Sequence, residues 1–329
     1  MEDTVRQRQL PVIALMVAAT ALASASPSAA AVTGACHVSP IVADLDRSLR
    51  FYRDLLGFES ASPTLPGPIP WDDRRELLDL HGLPDARLRS VSLRIAGARC
   101  GIELVQFDRV DRNAVHRRMQ DPGAVTLILL VRDLDALFAR LKAAHVDIAT
   151  TGGAPVRPSP TSKSRAMIVK DPDGHFVELA QLDPLPATSA PATSNVFDLR
   201  FRVTVNSLDE AVQYYRDGLG IEGKSAAFSA GPGVMAMMGL PADVEYRVNM
   251  TTIPGSGLIL EFLELKGIER RSRSTRVQDP GSYRLQLAVD SIDNAVEGLR
   301  KVGARVISKT DSQALAQDLN NVFVVLQQR

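Results

Sequence analysis

Two glutamates and one histidine stand in stretches of sequence where ionisable side chains are unusual. Glu103 lies in the apolar run Gly101-Ile-Glu-Leu-Val-Gln-Phe107, and Glu178 lies in Phe176-Val-Glu-Leu179. His37 begins a short β-rich run in which alternate side chains share one face. A buried carboxylate is strongly unfavourable unless it is paired or coordinated. These residues therefore predict either a divalent-metal site or a set of buried ion pairs.

The ion-pair interpretation stays open on the sequence alone. Glu103 could pair with an arginine, and His37 could be a core histidine whose hydrogen bonds are satisfied locally. Of the four further histidines, His81 and His116 are expected at solvated helix or loop positions, His145 at the end of a helix and His175 in an Asp-Pro-Asp-Gly turn. For each of them a ligand role is the less favoured interpretation.

The elements that position these residues come from a repeat. The segment 44–57 returns at 207–220, and Gln120-Asp-Pro-Gly123 returns as Gln278-Asp-Pro-Gly281. Between these two landmarks, Gly82-Leu-Pro84 returns as Gly239-Leu-Pro241 and Ile102-Glu-Leu104 returns as Leu260-Glu-Phe262. All four landmarks recur in the same order at an offset of about 160 residues, which indicates duplication. Each copy is itself doubled, because every helix begins with a capping Asp or Ser and lies between short β-rich runs. The predicted unit is therefore β-α-β-β-β, used four times.

Composition divides the chain into an N-terminal segment, two modules and a linker. Residues 1–31 combine arginines, a short apolar run and small-residue motifs that fit a signal peptide, with an uncleaved anchor as the alternative. The modules are placed at 36–183 and 196–329, and 184–195 is a linker rich in Pro, Ala, Ser and Thr. The mature protein is expected to be periplasmic or secreted and to have no membrane segment after cleavage.

The charge balance narrows the choice of partners. Lysine plus arginine equals aspartate plus glutamate, at 38 each, so no global field attracts nucleic acid or acidic lipid. A small-molecule ligand is the partner that we expect.

The repeated unit resembles the vicinal oxygen chelate superfamily, which includes glyoxalase I, bleomycin- and fosfomycin-resistance proteins and extradiol dioxygenases. The resemblance rests on His37-Val-Ser-Pro-Ile-Val-Ala-Asp-Leu-Asp46, on Gly101 to Phe107 and on Asp171-Pro-Asp-Gly-His-Phe-Val-Glu-Leu179. It implies an α+β fold in which two units form an open, cup-shaped mixed sheet of eight strands with flanking helices. One such cup is expected in each module. The fold hosts enzymes and binders alike, so it does not fix the function.

The resemblance also implies up to four metal ligands in each cup, from the first and last strands of its two units. In the first module these positions hold His37, Glu103, Thr126 and Glu178. His37, Glu103 and Glu178 are the predicted ligands of one divalent ion, which would be Fe, Mn, Ni or Zn. Thr126 offers only a hydroxyl and is a candidate ligand-binding residue.

The second module departs from this pattern, since the same positions hold Arg200, Glu261, Arg284 and Val325. Two arginines repel a metal cation and suit an anionic ligand, so Arg200 and Arg284 are candidate ligand-binding residues. Alternatively, Glu261 neutralises both arginines in a core without a ligand.

Two classes of function follow from the resemblance. The first is an exported metal-dependent lyase or isomerase of the glyoxalase type, in which Glu103 or Glu178 takes a proton beside a metal-polarised carbonyl. Dioxygenase chemistry fits less well, because Thr126 stands where that pattern has a second histidine. The alternative is a metal-free binding protein of the bleomycin-resistance type. The second module could then serve packing or dimerisation, which leaves a homodimer open.

The two cysteines, Cys36 and Cys100, precede His37 and Glu103 by odd offsets. Both thiols are therefore expected to face the helix layer and not the metal position. We expect two buried, reduced thiols that are not metal ligands, and a disulfide is the alternative in an exported chain.

Overall fold

The computed structural model describes residues 32–61 and 68–329, apart from the side chain of Cys36. The predicted signal peptide, residues 1–31, lies outside the described residues. Within the described ranges, no helix has the length and apolarity that crossing a bilayer requires.

Four units follow one another along the chain, as the repeat predicts. The first unit contains β1 (Val32–Pro40), α1 (Leu45–Leu49) with a π-helical continuation (Arg50–Leu55), β2 (Glu59–Ser60), α2 (Arg75–Leu80), β3 (Arg87–Arg94) and β4 (Gly101–Asp108). The second contains β5 (Val125–Val131), α3 (Leu134–Ala143), a 3-10 turn (Thr151–Gly153), β6 (Arg165–Lys170) and β7 (Phe176–Gln181).

The second half of the chain repeats this order. The third unit contains β8 (Val196–Thr204), α4 (Leu208–Leu219), β9 (Ser229–Ala230), α5 (Pro232–Met238), β10 (Glu245–Thr252) and β11 (Ile259–Lys266). The fourth contains β12 (Tyr283–Val289), α6 (Ile292–Lys301), β13 (Arg305–Lys309), β14 (Gln313–Gln317) and β15 (Phe323–Gln328).

The predicted helix caps are present in all four units. Asp44, Asp133, Ser207 and Ser291 each accept a hydrogen bond from the backbone N–H three residues later. Each such cap stabilises a helix by about 1 kcal/mol and fixes where the chain turns from the first strand into the helix. The residues that precede the caps are therefore held in strand geometry, which positions their side chains on the sheet.

The two sheets combine units from different modules. The strand orders are β13-β14-β15-β12-β1-β4-β3-β2 and β6-β7-β5-β8-β11-β10-β9. The first and fourth units therefore share the eight-stranded sheet, which we name the terminal cup, through the antiparallel β1–β12 pair. The second and third units share the seven-stranded sheet, which we name the central cup, through β5–β8.

This topology confirms the α+β class and the two cups, but it corrects their composition. We expected one cup inside 36–183 and the other inside 196–329. Instead, each module contributes one unit to each cup. The physical reason is that the first strand of any unit can pair with the first strand of any other, and the pattern within a unit does not encode its partner.

The helix layer holds the two units of one module together. The buried Tyr52 donates a hydrogen bond to Asp171 at 2.9 Å, and the equivalent Tyr215 donates to Asp318 at 3.0 Å. Each pair joins the helix of one unit to the last turn of the next unit along the chain. Sheets therefore connect the modules, and helix contacts connect units within a module.

Cys100 is buried, as predicted, and its Sγ donates to the carbonyl of Ala35 at 3.2 Å. The Cys36 side chain lies outside the described part of the chain, so the redox state of the two thiols stays a prediction.

Candidate functional site

Glu103 lies in the terminal cup, on β4 beside β1. Ser39 Oγ and Gln286 Nε2 donate hydrogen bonds to Glu103 Oε2 at 3.2 and 2.6 Å, and Arg284 Nη2 donates to the same oxygen at 3.2 Å. All three of these hydrogen bonds end on Oε2 of the carboxylate. The other carboxylate oxygen, Oε1, accepts none from the described residues and stays available to a bound molecule. The alternative in which Glu103 pairs with an arginine is confirmed.

Arg284 is the buried cation of this cup, with 4% of its surface exposed. Its Nη1 hydrogen-bonds to Nε2 of His81, and Nδ1 of His81 donates to the Leu77 carbonyl at 2.8 Å. This pattern assigns the neutral Nδ1–H tautomer to His81. Burial, followed by the charge of Arg284, lowers the pKa of His81 to about 3. Arg284 Nε is buried and has no hydrogen-bond partner among the described residues.

The position of His81 corrects our expectation that it lies in contact with solvent. Only 4% of His81 is exposed, because α2 packs over the mouth of the terminal cup. His81 follows directly after α2, which contains Leu77, Leu78 and Leu80. These leucines indicate that one side of the helix is buried.

A cavity of about 630 Å³ occupies the terminal cup. Glu103, Arg284 and Gln286 line it on the sheet side, and Trp71 and α2 line it on the opposite side. The Arg87 guanidinium lies 4.6 Å from the centroid of the Trp71 ring, and that of Arg89 lies 5.0 Å away. These cation–π contacts hold the indole in place at the cavity wall.

His37 lies on the terminal-cup sheet, where it is paired in register with Gly101 of β4. Burial lowers the pKa of His37, and the charge of Glu103 partly opposes this shift. His37 and Glu103 therefore share a sheet and an electrostatic environment, as predicted.

Glu178 lies in the central cup, and a buried ion network holds it there. Arg202 Nη1 donates to Glu178 Oε2 at 2.6 Å, and Arg202 Nη2 lies 2.8 Å from Glu261 Oε2. Arg200 Nη1 approaches Glu261 Oε1 less closely, at 3.7 Å. Burial raises the pKa of Glu178, and the charge of Arg202 counteracts this rise. The expectation that Glu261 neutralises both Arg200 and Arg284 is met only for Arg200. The main partner of Glu261 is Arg202, which also contacts Glu178, and Arg284 pairs with Glu103 in the other cup.

The predicted convergence of His37, Glu103 and Glu178 is wrong, because Glu178 belongs to the other sheet. Across the described ranges, no group of three or more His, Cys, Asp or Glu side chains is placed to hold a metal ion. Thr126 lies on the central-cup sheet opposite Arg202, and its hydroxyl contacts Met119 Sδ at 3.7 Å.

Arg200 and Arg284, which we expected in one cup, also lie in different cups. Each cup therefore combines four of the positions that the resemblance gives to metal ligands. The terminal set is His37, Glu103, Arg284 and Val325. The central set is Thr126, Glu178, Arg200 and Glu261.

A guanidinium already neutralises the carboxylates of each set. Arg284 contacts Glu103 in the terminal cup, and Arg202 bridges Glu178 and Glu261 in the central cup. A fixed guanidinium supplies positive charge and hydrogen bonds to a carboxylate, and it repels a divalent cation at the same place. Neither donor set fits a resident metal ion.

Comparison with known proteins agrees with the resemblance found in the sequence. Residues 35–179 match the model of the Glyoxalase/Bleomycin resistance protein/Dioxygenase superfamily. The described part of the chain has a fold similar to that of glyoxalase I from Zea mays, with 16% identity and a TM-score of 0.56 over 90% of this chain and 92% of that chain.

Two further structures support the fold assignment. A mutant of the maize glyoxalase I gives 15% identity and a TM-score of 0.57 over 90% of this chain and 93% of that one. A candidate dioxygenase from Bacillus subtilis gives 10% identity and a TM-score of 0.51 over 91% and 86%. At these identities the likeness shows the fold alone. No curated protein sequence matches the chain significantly.

The roles of Ser39 and His81 were not apparent from the sequence. Side chains alternate between the two faces of β1, so Ser39 shares the face of His37, and this alternation was the feature of the sequence that indicated its position. The same alternation predicts that Arg202 and Gln286 share the faces of Arg200 and Arg284, because each follows one of these arginines by two residues.

Proposed function

We propose that this protein binds a small molecule in the terminal cup without a resident metal ion. The observation that supports this most directly is the contact of Arg284 with Glu103 at 3.2 Å. It places a permanent cation at a position where the resemblance would require a metal ligand. Because the guanidinium is part of the chain, the carboxylate is neutralised without a metal ion.

The polar groups of the cavity define what the ligand must offer. Arg284 Nε is a buried donor without a partner among the described residues, and Glu103 Oε1 is an acceptor that their hydrogen bonds leave open. A buried group without a partner costs roughly 1–3 kcal/mol, which a matching ligand recovers. The ligand would therefore donate a hydrogen bond to Glu103 Oε1, and it would accept one from Arg284 Nε only where its binding moves the side chains that bury this atom.

The charges of the cavity floor favour an uncharged ligand. Arg284 and Glu103 balance each other, and His81 is neutral at physiological pH because its pKa is about 3. The cavity of about 630 Å³ lies within the usual size range of small-molecule sites. An amide or a hydroxy-carbonyl compound that packs against Trp71 has the required chemistry.

Both cups are completed within one chain, so the proposed site needs no second copy of the protein. We further propose, from the composition of residues 1–31, that the protein acts after export. The metal-dependent lyase or isomerase is the rival proposal, in which Glu103 would act as the base.

Elemental analysis of the purified protein after incubation with Zn, Mn, Ni and Fe salts separates the two proposals. We expect far less than one ion per chain. A stoichiometric ion that survives gel filtration and is lost in Glu103→Gln overturns the metal-independent proposal.

Thermal-shift screening with small amides and hydroxy-ketones tests ligand binding. Ser90 lines the terminal cavity, so Ser90→Leu should fill it and abolish the ligand-induced shift. Val248→Phe fills the smaller cavity of the central cup and is the matched control that should retain the shift. An equal loss in both variants contradicts the assignment of the ligand to the terminal cup.

A further inference from the structure

A second large cavity, of about 590 Å³, lies outside both cups, between the first helix of the chain and the end of α3. We propose that this inter-helix cavity is a separate binding site for a small anionic ligand with an apolar body. Its charged lining comprises four cations and two carboxylates: Arg47, Arg50, Arg117, Lys170, Asp147 and Asp171.

Among the residues that the structure describes, two of the four cations have no carboxylate within salt-bridge distance. Asp173 holds Arg47 at 2.8 Å, and Asp147 holds Lys170 at 3.0 Å. Among the described residues, no carboxylate lies within ion-pairing distance of Arg50, which is exposed.

Arg117 is the more buried of the two unpaired cations. Within the described part of the chain, its guanidinium donates to two carbonyl oxygens, those of Pro122 at 2.9 Å and Arg273 at 2.7 Å. Burial lowers the pKa of Arg117 to about 10, so it keeps its charge at neutral pH. The remaining carboxylate, Asp171, accepts the Tyr52 hydroxyl. Carboxylates in the surroundings act on both cations, Asp54 on Arg50, and Asp121 and Asp318 on Arg117. Among the described residues none of them forms a contact ion pair with these two arginines, so both guanidinium groups can still pair with an anionic ligand.

The repeat provides an internal comparison for these charges. In the register that aligns Asp44 with Ser207, Arg47 corresponds to Glu210 and Arg50 to Gln213.

The other two cations also lack a basic counterpart. In the register of the two Gln-Asp-Pro-Gly motifs, Arg117 corresponds to Thr275. Aligning Phe176 with Phe323 places Gln317 opposite Lys170. None of the four cations is part of the common repeat, so this cluster of charge is specific to the first module.

The cavity itself is also specific to the first module. In the second module, α4 and α6 touch through Gly218 and Gly298, and a Cβ atom added to Gly298 would lie 2.5 Å from the Gly218 carbonyl oxygen. The equivalent positions in the first module hold Leu55 and Arg140. These larger side chains prevent the close approach of the helices, and Leu55 lines the cavity that results.

The backbone conformation of the first helix also differs from that of its counterpart α4. Residues Arg50–Leu55 are π-helical, whereas the corresponding part of α4 is a regular α-helix. Short π-helical segments occur frequently at functional sites. This one carries Arg50, Phe51 and Leu55 to the cavity wall.

The chemistry of the lining defines the ligand class. Arginines bind phosphate and carboxylate groups through charge-assisted hydrogen bonds. Phe51, Leu55 and Val146 supply an apolar wall that suits a hydrocarbon or aromatic body. The charge-balanced terminal cup favours an uncharged ligand, so the two sites should select different molecules.

Isothermal titration of the full chain with phenyl phosphate, inorganic phosphate and phenol tests this proposal. We expect saturable binding of phenyl phosphate, weaker binding of phosphate and no binding of phenol. Arg50→Gln, which introduces the residue of the other module, should weaken phenyl phosphate binding about tenfold, which corresponds to the loss of one charge-assisted contact. Raising the salt concentration should weaken it further.

Arg53→Gln is the matched control, because Arg53 is exposed on the same helix, pairs with Asp54 and does not line the cavity. Its affinity should stay within about twofold of that of the unmodified protein, since exposed ion pairs contribute little. Ser90→Leu in the terminal cup should also leave phenyl phosphate binding unchanged, which separates this site from the proposed function. The proposal is overturned if no anion binds, if phenol binds equally well, or if the Arg50 and Arg53 variants lose the same affinity.

Discussion

Substitution of Glu261 by glutamine tests whether the ion network of the central cup is a structural element. Glu261 and Glu178 flank Arg202, and 9% or less of each of these three residues is exposed. Glutamine keeps the shape of the side chain and removes one negative charge. Arg202 then keeps a single carboxylate partner in a buried environment.

The expected loss of stability follows from this arrangement. Removing one partner of a buried ion pair costs roughly 3–5 kcal/mol. Because Glu178 still contacts Arg202 at 2.6 Å, we expect a value near the lower limit, about 3 kcal/mol. For a domain of this size, each kcal/mol lowers the melting temperature by roughly 2–4 °C, so the decrease should be about 6–12 °C.

Differential scanning calorimetry and urea unfolding measure this loss. Glu245→Gln is the matched control, because Glu245 pairs with Lys266 on the neighbouring strand at 2.9 Å and 42% of its side chain is exposed. The control should change the free energy of unfolding by less than about 1 kcal/mol. If the two variants are equally stable, the buried network does not hold the central cup together and the reasoning fails.

Three further predictions concern His81, the N-terminus and the thiols. His81 has a folded-state pKa of about 3 and an unfolded-state value near 6.5, so the unfolded chain binds more protons between these values. Stability should therefore fall as the pH drops below about 6.5, by about 3 kcal/mol at about pH 4.5, and His81→Gln should remove this component in urea titrations. Burial raises the pKa of Asp318 to about 6, so this residue makes the folded protein more stable as the pH falls. The test is therefore the difference in pH dependence between the unmodified protein and the His81→Gln variant. N-terminal sequencing of the exported protein should show cleavage at or before residue 31, whereas an intact Met1 in a membrane fraction contradicts it. Titration of the denatured, unreduced protein should find two thiols, from Cys36 and Cys100, and a count of zero would indicate a disulfide.

Much of the fold could be predicted from the sequence because local rules determine it. The caps Asp44 and Ser207, and the glycine after the helix at Gly220 with φ of 66°, set the ends of helices independently of distant contacts. Alternation along β1 and β8 correctly placed polar side chains on one face of each strand. These rules yield four β-α-β-β-β units without any knowledge of how the units associate.

The pairing of units could not be predicted because it depends on non-local strand contacts. β1 would present the same backbone groups and side chains whether it paired with β5 or with β12. In the structure it pairs with β12, which places Arg284 beside Glu103. The predicted metal site combined residues of one module, and the exchange of partners between modules separated them. The carboxylate positions were therefore identified correctly, while their neighbours were not.

In both cups, arginine side chains neutralise the carboxylates that the sheet carries. The consequences for function differ between the two cups. In the central cup, Arg202 is bonded to two carboxylates, and the associated cavity measures about 230 Å³. In the terminal cup, one carboxylate and one guanidinium face a cavity of about 630 Å³, and both retain hydrogen-bonding capacity. Charge removal in the central cup should therefore mainly reduce stability, because both of its carboxylates are already paired with arginines, although Arg200 Nε also lacks a partner among the described residues. In the terminal cup, Arg284 Nε and Glu103 Oε1 lack partners among the described residues, and a ligand that supplies both contacts would stabilise the folded protein.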